Sequence, residues 1–245
     1  MAKLTDVVKV FIGYDGAESV AYHVLCQSIL KHARQPVEFI PIKQTMLTHV
    51  YNRERDPKQS NEFSFTRFLV PYLCGYVGKA IFMDLDMLLR VDIAELWNHP
   101  SLFSNAISVV KHDYEPKPGT KYLGNEQHNY PRKNWSSVML FNCDHSDCKK
   151  LTPEYVNSAP ALELHRLNWA RDSMIGELEP EWNWLVGEYD YNGLAKIVHF
   201  TIGGPYFYEY ADCDYAAEWR IVHRQANFCL QTEQMVPSRR KGMSC

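Results

Sequence analysis

One short stretch constrains the fold more than any other: Ala80-Ile81-Phe82-Met83-Asp84-Leu85-Asp86. Four apolar residues, preceded by the chain-breaking Gly75 and Gly78, read as a buried central strand of an α/β sheet. The strand then runs straight into two acids. On extended backbone, residues i and i+2 point to one side, so Asp84 and Asp86 share a space. Open α/β sheets bind ligands beyond the carboxyl ends of their strands. Two carboxylates held close resist joint ionisation. A divalent cation with oxygen ligands, Mg²⁺ or Mn²⁺, removes that repulsion. The plain alternative is an acidic turn at a strand end.

The surrounding chain supports a layered α/β architecture. Val7–Ile12 is rich in β-branched and aromatic residues and reads as a strand. Gly13-Tyr14-Asp15-Gly16 ends it, Ala17–Ala33 has helical apolar spacing, and Val37–Ile42 is a second strand. Strand, helix, strand is the usual opening of such folds. Phe63–Leu73 reads as a helix that Pro71 shortens or kinks. Further strands are expected at Ala106–Val110, Ser137–Asn142 and Lys196–Phe200, and a mostly helical segment at Pro160–Gly176. Lys111–Asn134 is polar, proline-rich and long, which marks a lid or binding loop. The 245 residues, 46% hydrophobic and 22% charged, suffice for one domain with a real core. That domain is expected over residues 1–230, with a polar tail over 231–245.

Several function classes are disfavoured. A formal net charge of -3 gives no broad footprint for nucleic acid. No apolar run approaches the roughly 20 residues of a membrane-spanning helix, and the first residues do not read as a signal peptide. Seven cysteines, an odd number in a chain too long to need staples, fit a reducing cytoplasm. Cys143 and Cys148 with His145 between them resemble half of a zinc knuckle, but no second ligand pair follows at zinc spacing.

Other residues carry two readings each. His199 closes a strand and precedes Gly203-Gly204; it is either a further metal ligand or a structural core histidine. The two glycines let backbone N–H groups approach a phosphate, or simply bend the chain. Tyr14 offers a flat ring to a base and Asp15 offers acceptors, or Asp15 caps the first helix. Arg67 has the geometry to neutralise phosphate, or sits on the surface. Asp172 either serves a sugar or pairs with Arg171 or Arg166.

Taken together, four blocks resemble family 8 glycosyltransferases, the retaining group that includes glycogenin and bacterial galactosyltransferases. They are Val10-Phe11-Ile12-Gly13-Tyr14-Asp15; Phe65-Thr66-Arg67-Phe68 with Lys79 to Asp86; Ser136 to Asn142; and His199-Phe200-Thr201-Ile202-Gly203-Gly204-Pro205-Tyr206. The resemblance implies a GT-A fold: a single Rossmann-like α/β domain with a central, mixed, mostly parallel sheet flanked by helices. It implies Asp84, Asp86 and His199 as ligands of Mn²⁺ (or Mg²⁺), which holds the diphosphate of a UDP-sugar. Arg67 would meet phosphate or donor sugar, Tyr14 and Asp15 the base and ribose, and Gly203 and Gly204 the phosphates. Asp172 would stabilise positive charge on the sugar as it passes to an acceptor hydroxyl, with retention of configuration.

Two departures stand out. Gly204-Pro205-Tyr206 occupies the place of Lys-Pro-Trp, so a cation for the leaving diphosphate must come from elsewhere, with Lys111, Arg132 and Lys133 as candidates. Asp172-Ser173 stands where the family has Asp-Gln. The alternatives are a non-catalytic nucleotide-sugar-binding protein and a metal-dependent phosphohydrolase using Asp84. Donor sugar, acceptor and oligomeric state are not specified by these residues.

Overall fold

A computed structural model describes residues 7–55, 59, 61–116 and 131–228. Strand β1 (Val8–Gly13) leads through a 3-10 turn (Gly16–Glu18) into helix α1 (Ser19–His32), and the chain returns as β2 (Val37–Ile42). β1 and β2 pair in parallel from Val8 opposite Val37 to Gly13 opposite Ile42. Parallel neighbours need such a crossover, and α1 supplies it. The apolar side of α1 (Ala21, Val24, Leu25, Ile29) is buried.

The expected helix over Phe63–Leu73 is split. Thr66–Leu69 is 3-10, and only Val70–Leu73 forms an α turn, α2, with Pro71 in its first turn where a missing N–H does no harm. β3 (Lys79–Met83) follows, its last four residues wholly buried, and pairs in parallel with β1. β4 (Met87–Leu89), α3 (Ile93–Trp97) and β5 (Ile107–Val110) come next. β6 (Val138–Asn142) runs antiparallel to both β3 and β5.

Beyond it, α4 (Pro153–Ser158) and α5 (Ala161–His165) are short. The mostly helical segment expected over Pro160–Gly176 is helical only in α5 and in a 3-10 turn at Asp172–Met174. Leu167 adopts a left-handed backbone that ends the helical run. Ile175 and Gly176 instead open strand β7 (Ile175–Leu178), parallel to β5. Gly176 is required there, because a Cβ would collide with the side chains of Asn105 and Ser108. β8 (Trp184–Leu185), β9 (Ile197–His199) and α6 (Ala216–Ala226) complete the described chain.

The larger sheet has the order β2-β1-β3-β6-β5-β7. Only β6 runs against its neighbours, so the sheet is mixed and mostly parallel, with helices packed on it, as expected. A small sheet, β4-β9-β8, stands beside it. No helix among the described residues is long and apolar enough to cross a membrane. Within the polar segment Lys111–Asn134, residues 117–130 lie outside the described residues, as does the tail 231–245, so the expectations placed on them go unaddressed.

Candidate metal and donor site

The chain leaves the large sheet at Met83 and enters the small one at Met87. Asp84-Leu85-Asp86 is the bend between them. Leu85 is buried and anchors the bend in the core. The two acids reach one space through this bend, not through a straight strand. The Asp84 N–H is held by the carbonyl of Ser137 at 2.9 Å.

β9 pairs with β4 so that His199 lies opposite Met87. The Phe200 N–H donates to the Asp86 carbonyl at 2.9 Å. This register brings His199 beside acids 113 or more positions earlier. One ligand atom from each of Asp84, Asp86 and His199 lies within 4.8 Å of the others, and all three residues are buried. The His199 Nε2 stands 3.4 Å from Asp86 Oδ1.

Asn183, wholly buried, decides which ring nitrogen faces the acids. Its Nδ2 donates to Ser137 Oγ (2.8 Å) and to the Asn134 carbonyl (3.2 Å). Its Oδ1 therefore faces His199 Nδ1, at 2.9 Å, and accepts from it. Nδ1 carries the proton, and Nε2 is left as the ligand atom. Two carboxylates and an oriented imidazole make a donor set suited to a divalent first-row ion. Sequence reasoning missed Asn183; its only signal was a polar residue in the apolar run Trp182–Val186.

Arg67 is not a surface residue. It is 4% exposed, with Nη1 at 2.7 Å from Asp84 Oδ1 and 2.8 Å from the Ser136 carbonyl. Its guanidinium lies 5.1 Å from the ring centroids of both Phe63 and Phe82. Against it, His165 bonds Ser136 Oγ through Nδ1 at 3.0 Å and packs its ring on Phe65 and Phe68. Burial first, then the charges of Arg67 and Arg53, push the His165 pKa down to about 3. His112 is likewise pushed down to about 3, by burial and then by His199.

The first and last blocks of the sequence meet. Tyr206 donates to the buried Glu18 at 2.5 Å, which ties the closing turn to the turn after β1. There, Asp15 caps: Oδ1 accepts from the Ala17 N–H (2.9 Å) and Oδ2 from the Glu62 N–H (3.1 Å). Tyr14 is half-buried, edge-on to Tyr22, with Lys43 Nζ 5.4 Å over its ring. Gly203 and Gly204 lie under the rings of Tyr210 and Tyr206, which a Cβ on either would strike. Asp172 is largely exposed and pairs with Arg132 at 2.8 Å, not with Arg171 or Arg166. Arg171 pairs with Asp147 instead. Cys148 donates to the Ala106 carbonyl, and the free thiols of Cys143 and Cys74 hydrogen-bond each other, so the knuckle reading has no support in these positions.

Residues 9–204 match the sequence profile of glycosyl transferase family 8. The chain belongs to that family. It is 45% identical over 220 residues to Protein CDI of Arabidopsis thaliana, covering 86% of this chain and 84% of that protein. Its family 8 fold recurs in the glycosyltransferase GlyE of Streptococcus pneumoniae TIGR4, with a TM-score of 0.59 at 13% identity, covering 88% of this chain. It recurs also in the galactosyltransferase LgtC, solved with donor and acceptor sugar analogues, with a TM-score of 0.56 at 10% identity, covering 93% of this chain and 98% of that one. The chain spans 60% of GlyE and half of the bifunctional glycosyltransferase WbbM. These structural likenesses establish the GT-A fold of this family 8 member.

Proposed function

We propose that the protein is a metal-dependent retaining glycosyltransferase that moves a sugar from a UDP-sugar to an acceptor hydroxyl. The observation that carries this reading is the buried Asp84–Asp86–His199 triad at the junction of the two sheets. Asp84, Asp86 and His199 would hold Mn²⁺ or Mg²⁺, which when bound would supply Lewis-acid chemistry to the leaving diphosphate. Residues 1–230 act as one catalytic domain. The free thiols of Cys26, Cys74, Cys143, Cys148 and Cys213 support a reducing, cytoplasmic setting.

The chain's own groups have separable tasks. Arg67 balances the charge of Asp84 and orients it. Asn183 presents Nε2 of His199. The turn carrying Tyr14 and Asp15 borders the base and ribose, and the backbone at Gly203-Gly204 approaches the phosphates. Asp172 faces positive charge that grows on the sugar ring as the bond from anomeric carbon to phosphate oxygen breaks. The acceptor oxygen bonds the same carbon from the same face, and its proton passes to the departing phosphate.

The hydrolase alternative asks Asp84 to attack phosphorus. The 2.7 Å ion pair with Arg67 argues against it, because it lowers the nucleophilicity of that carboxylate. Calorimetric titration with UDP, with and without Mn²⁺, on wild type and Asp86→Ala tests the proposal. Binding that needs both Mn²⁺ and Asp86 is expected. Absence of UDP binding with Mn²⁺ present would refute the uridine assignment.

A further inference from the structure

A diphosphate that leaves with growing negative charge is stabilised by fixed cations near it. The closing block His199–Tyr206 contains no Lys or Arg. Arg67 is buried against Asp84. Three basic residues of the segment 111–134 then come into question, and the structure sends them in different directions.

Arg132 is engaged by Asp172 and by the Arg166 carbonyl, each at 2.8 Å. Lys111, half-buried, lines a cleft of about 670 Å³ with Trp184 and Tyr189. Lys133 is 7% exposed and lies on the wall of a second cleft, of about 520 Å³, with His112, Tyr114 and Arg132 around it and Asp113 and Glu115 on its rim.

The backbone around Lys133 is unusual. Arg132 (φ 62°) and Asn134 (φ 63°) are both left-handed, which residues with a Cβ rarely adopt. Such conformations persist where surrounding contacts over-determine them, often at functional sites. The contacts are present. Asn134 Nδ2 donates to Tyr114 Oη at 2.7 Å, and the Asn134 carbonyl accepts from Ser137 Oγ and from Asn183. Two residues on, the Ser136 carbonyl holds Arg67. The turn that buries Lys133 is therefore tied to the supports of both His199 and Asp84.

We infer that Lys133 supplies the cation that meets the donor diphosphate, in place of a basic residue in the closing block. Resting on the nucleotide-sugar reading, this assigns the phosphate contact to the turn between two left-handed residues. A lysine ammonium is a compact point charge well suited to phosphate.

The test is calorimetric titration of UDP and UMP, with Mn²⁺, into wild type, Lys133→Met and Lys133→Arg. Lys133→Met is expected to weaken UDP about 10- to 100-fold, to narrow the UDP-to-UMP affinity ratio, and to leave Mn²⁺ affinity unchanged. Lys133→Arg is expected to recover most of the loss. Wild-type binding of UDP with Lys133→Met within twofold of it overturns the inference and leaves the nucleotide-sugar reading intact. Absence of UDP binding by wild type overturns both. Should thermal melts show that Lys133→Met is unfolded, Lys133→Gln repeats the comparison with a polar side chain of similar length.

Discussion

At the scale of single residues, Asn183 links the site to the fold. It is the only side chain that the described structure places on His199 Nδ1, and it does so while donating twice to the 134–137 turn. Replacing it with Ala leaves Nδ1–H and Ser137 Oγ each short of a partner in a dry interior. The imidazole then loses both its tautomer and its direction. Loss of such a supporting partner typically weakens metal affinity about 10- to 100-fold. Asn183→Ala is expected to show that loss in a direct Mn²⁺ titration while its circular dichroism stays native. Asn183→Asp keeps the acceptor toward Nδ1 but loses both donations, so its affinity should lie between the two. An unchanged Mn²⁺ affinity in Asn183→Ala would exclude the site as drawn.

At the scale of elements, legibility followed segment length and composition. β1, β2, β3, β5 and β6 lie within a residue or two of their expected places: β1, β3, β5 and β6 are mostly buried apolar runs, and β2, a half-buried edge strand, is marked by its β-branched and aromatic residues. The pair Asp84 and Asp86 was legible for the same reason, as acids stranded at the end of such a run. Their meeting with His199 was not, since spacing alone says nothing of the β4–β9 register that creates it. Strands of two or three residues, such as β8 and β4, carry too few side chains for a period to register. α6 was missed because its buried face is only Ala216, Trp219 and Val222, a thin stripe in a polar sequence. That stripe packs with Val24 of α1 and with Leu88 and Val198 of the small sheet. Trp219, 4% exposed, dominates it. Trp219→Ala is expected to cost about 3–5 kcal/mol in urea unfolding. Leu162→Ala, at a 46% exposed position, should stay within about 0.5 kcal/mol of wild type. Equal effects of the two substitutions would mean that α6 is not docked.

At the scale of the whole molecule, the polar machinery around the site lies in the interior, and this makes stability depend on pH. His165 and His112 both have folded pKa values near 3, against an ordinary 6.5, and burial is the larger cause for each. A depressed histidine binds its proton only in the unfolded chain between those two values. Stability from each is therefore complete above about pH 6.5 and is lost as pH falls toward 3. Each contributes a slope on the order of 1.4 kcal/mol per pH unit in that window. Asp147 follows the same direction but lower down. Lys150 and Arg171 outweigh its burial and hold it at about 2, from an ordinary 3.8, so its contribution is lost only below about pH 4. The histidines should thus dominate between pH 6 and 4. The melting temperature of wild type is expected to fall by about 10–20 °C across that interval. His165→Asn, which keeps a polar partner for Ser136 but cannot titrate, should start lower and decline more gently, by about one proton's worth of slope. Parallel curves for the two proteins would mean that His165 is charged in the folded state, in spite of Arg67 and Arg53. A neutral imidazole held under the influence of these guanidiniums would then have to be abandoned.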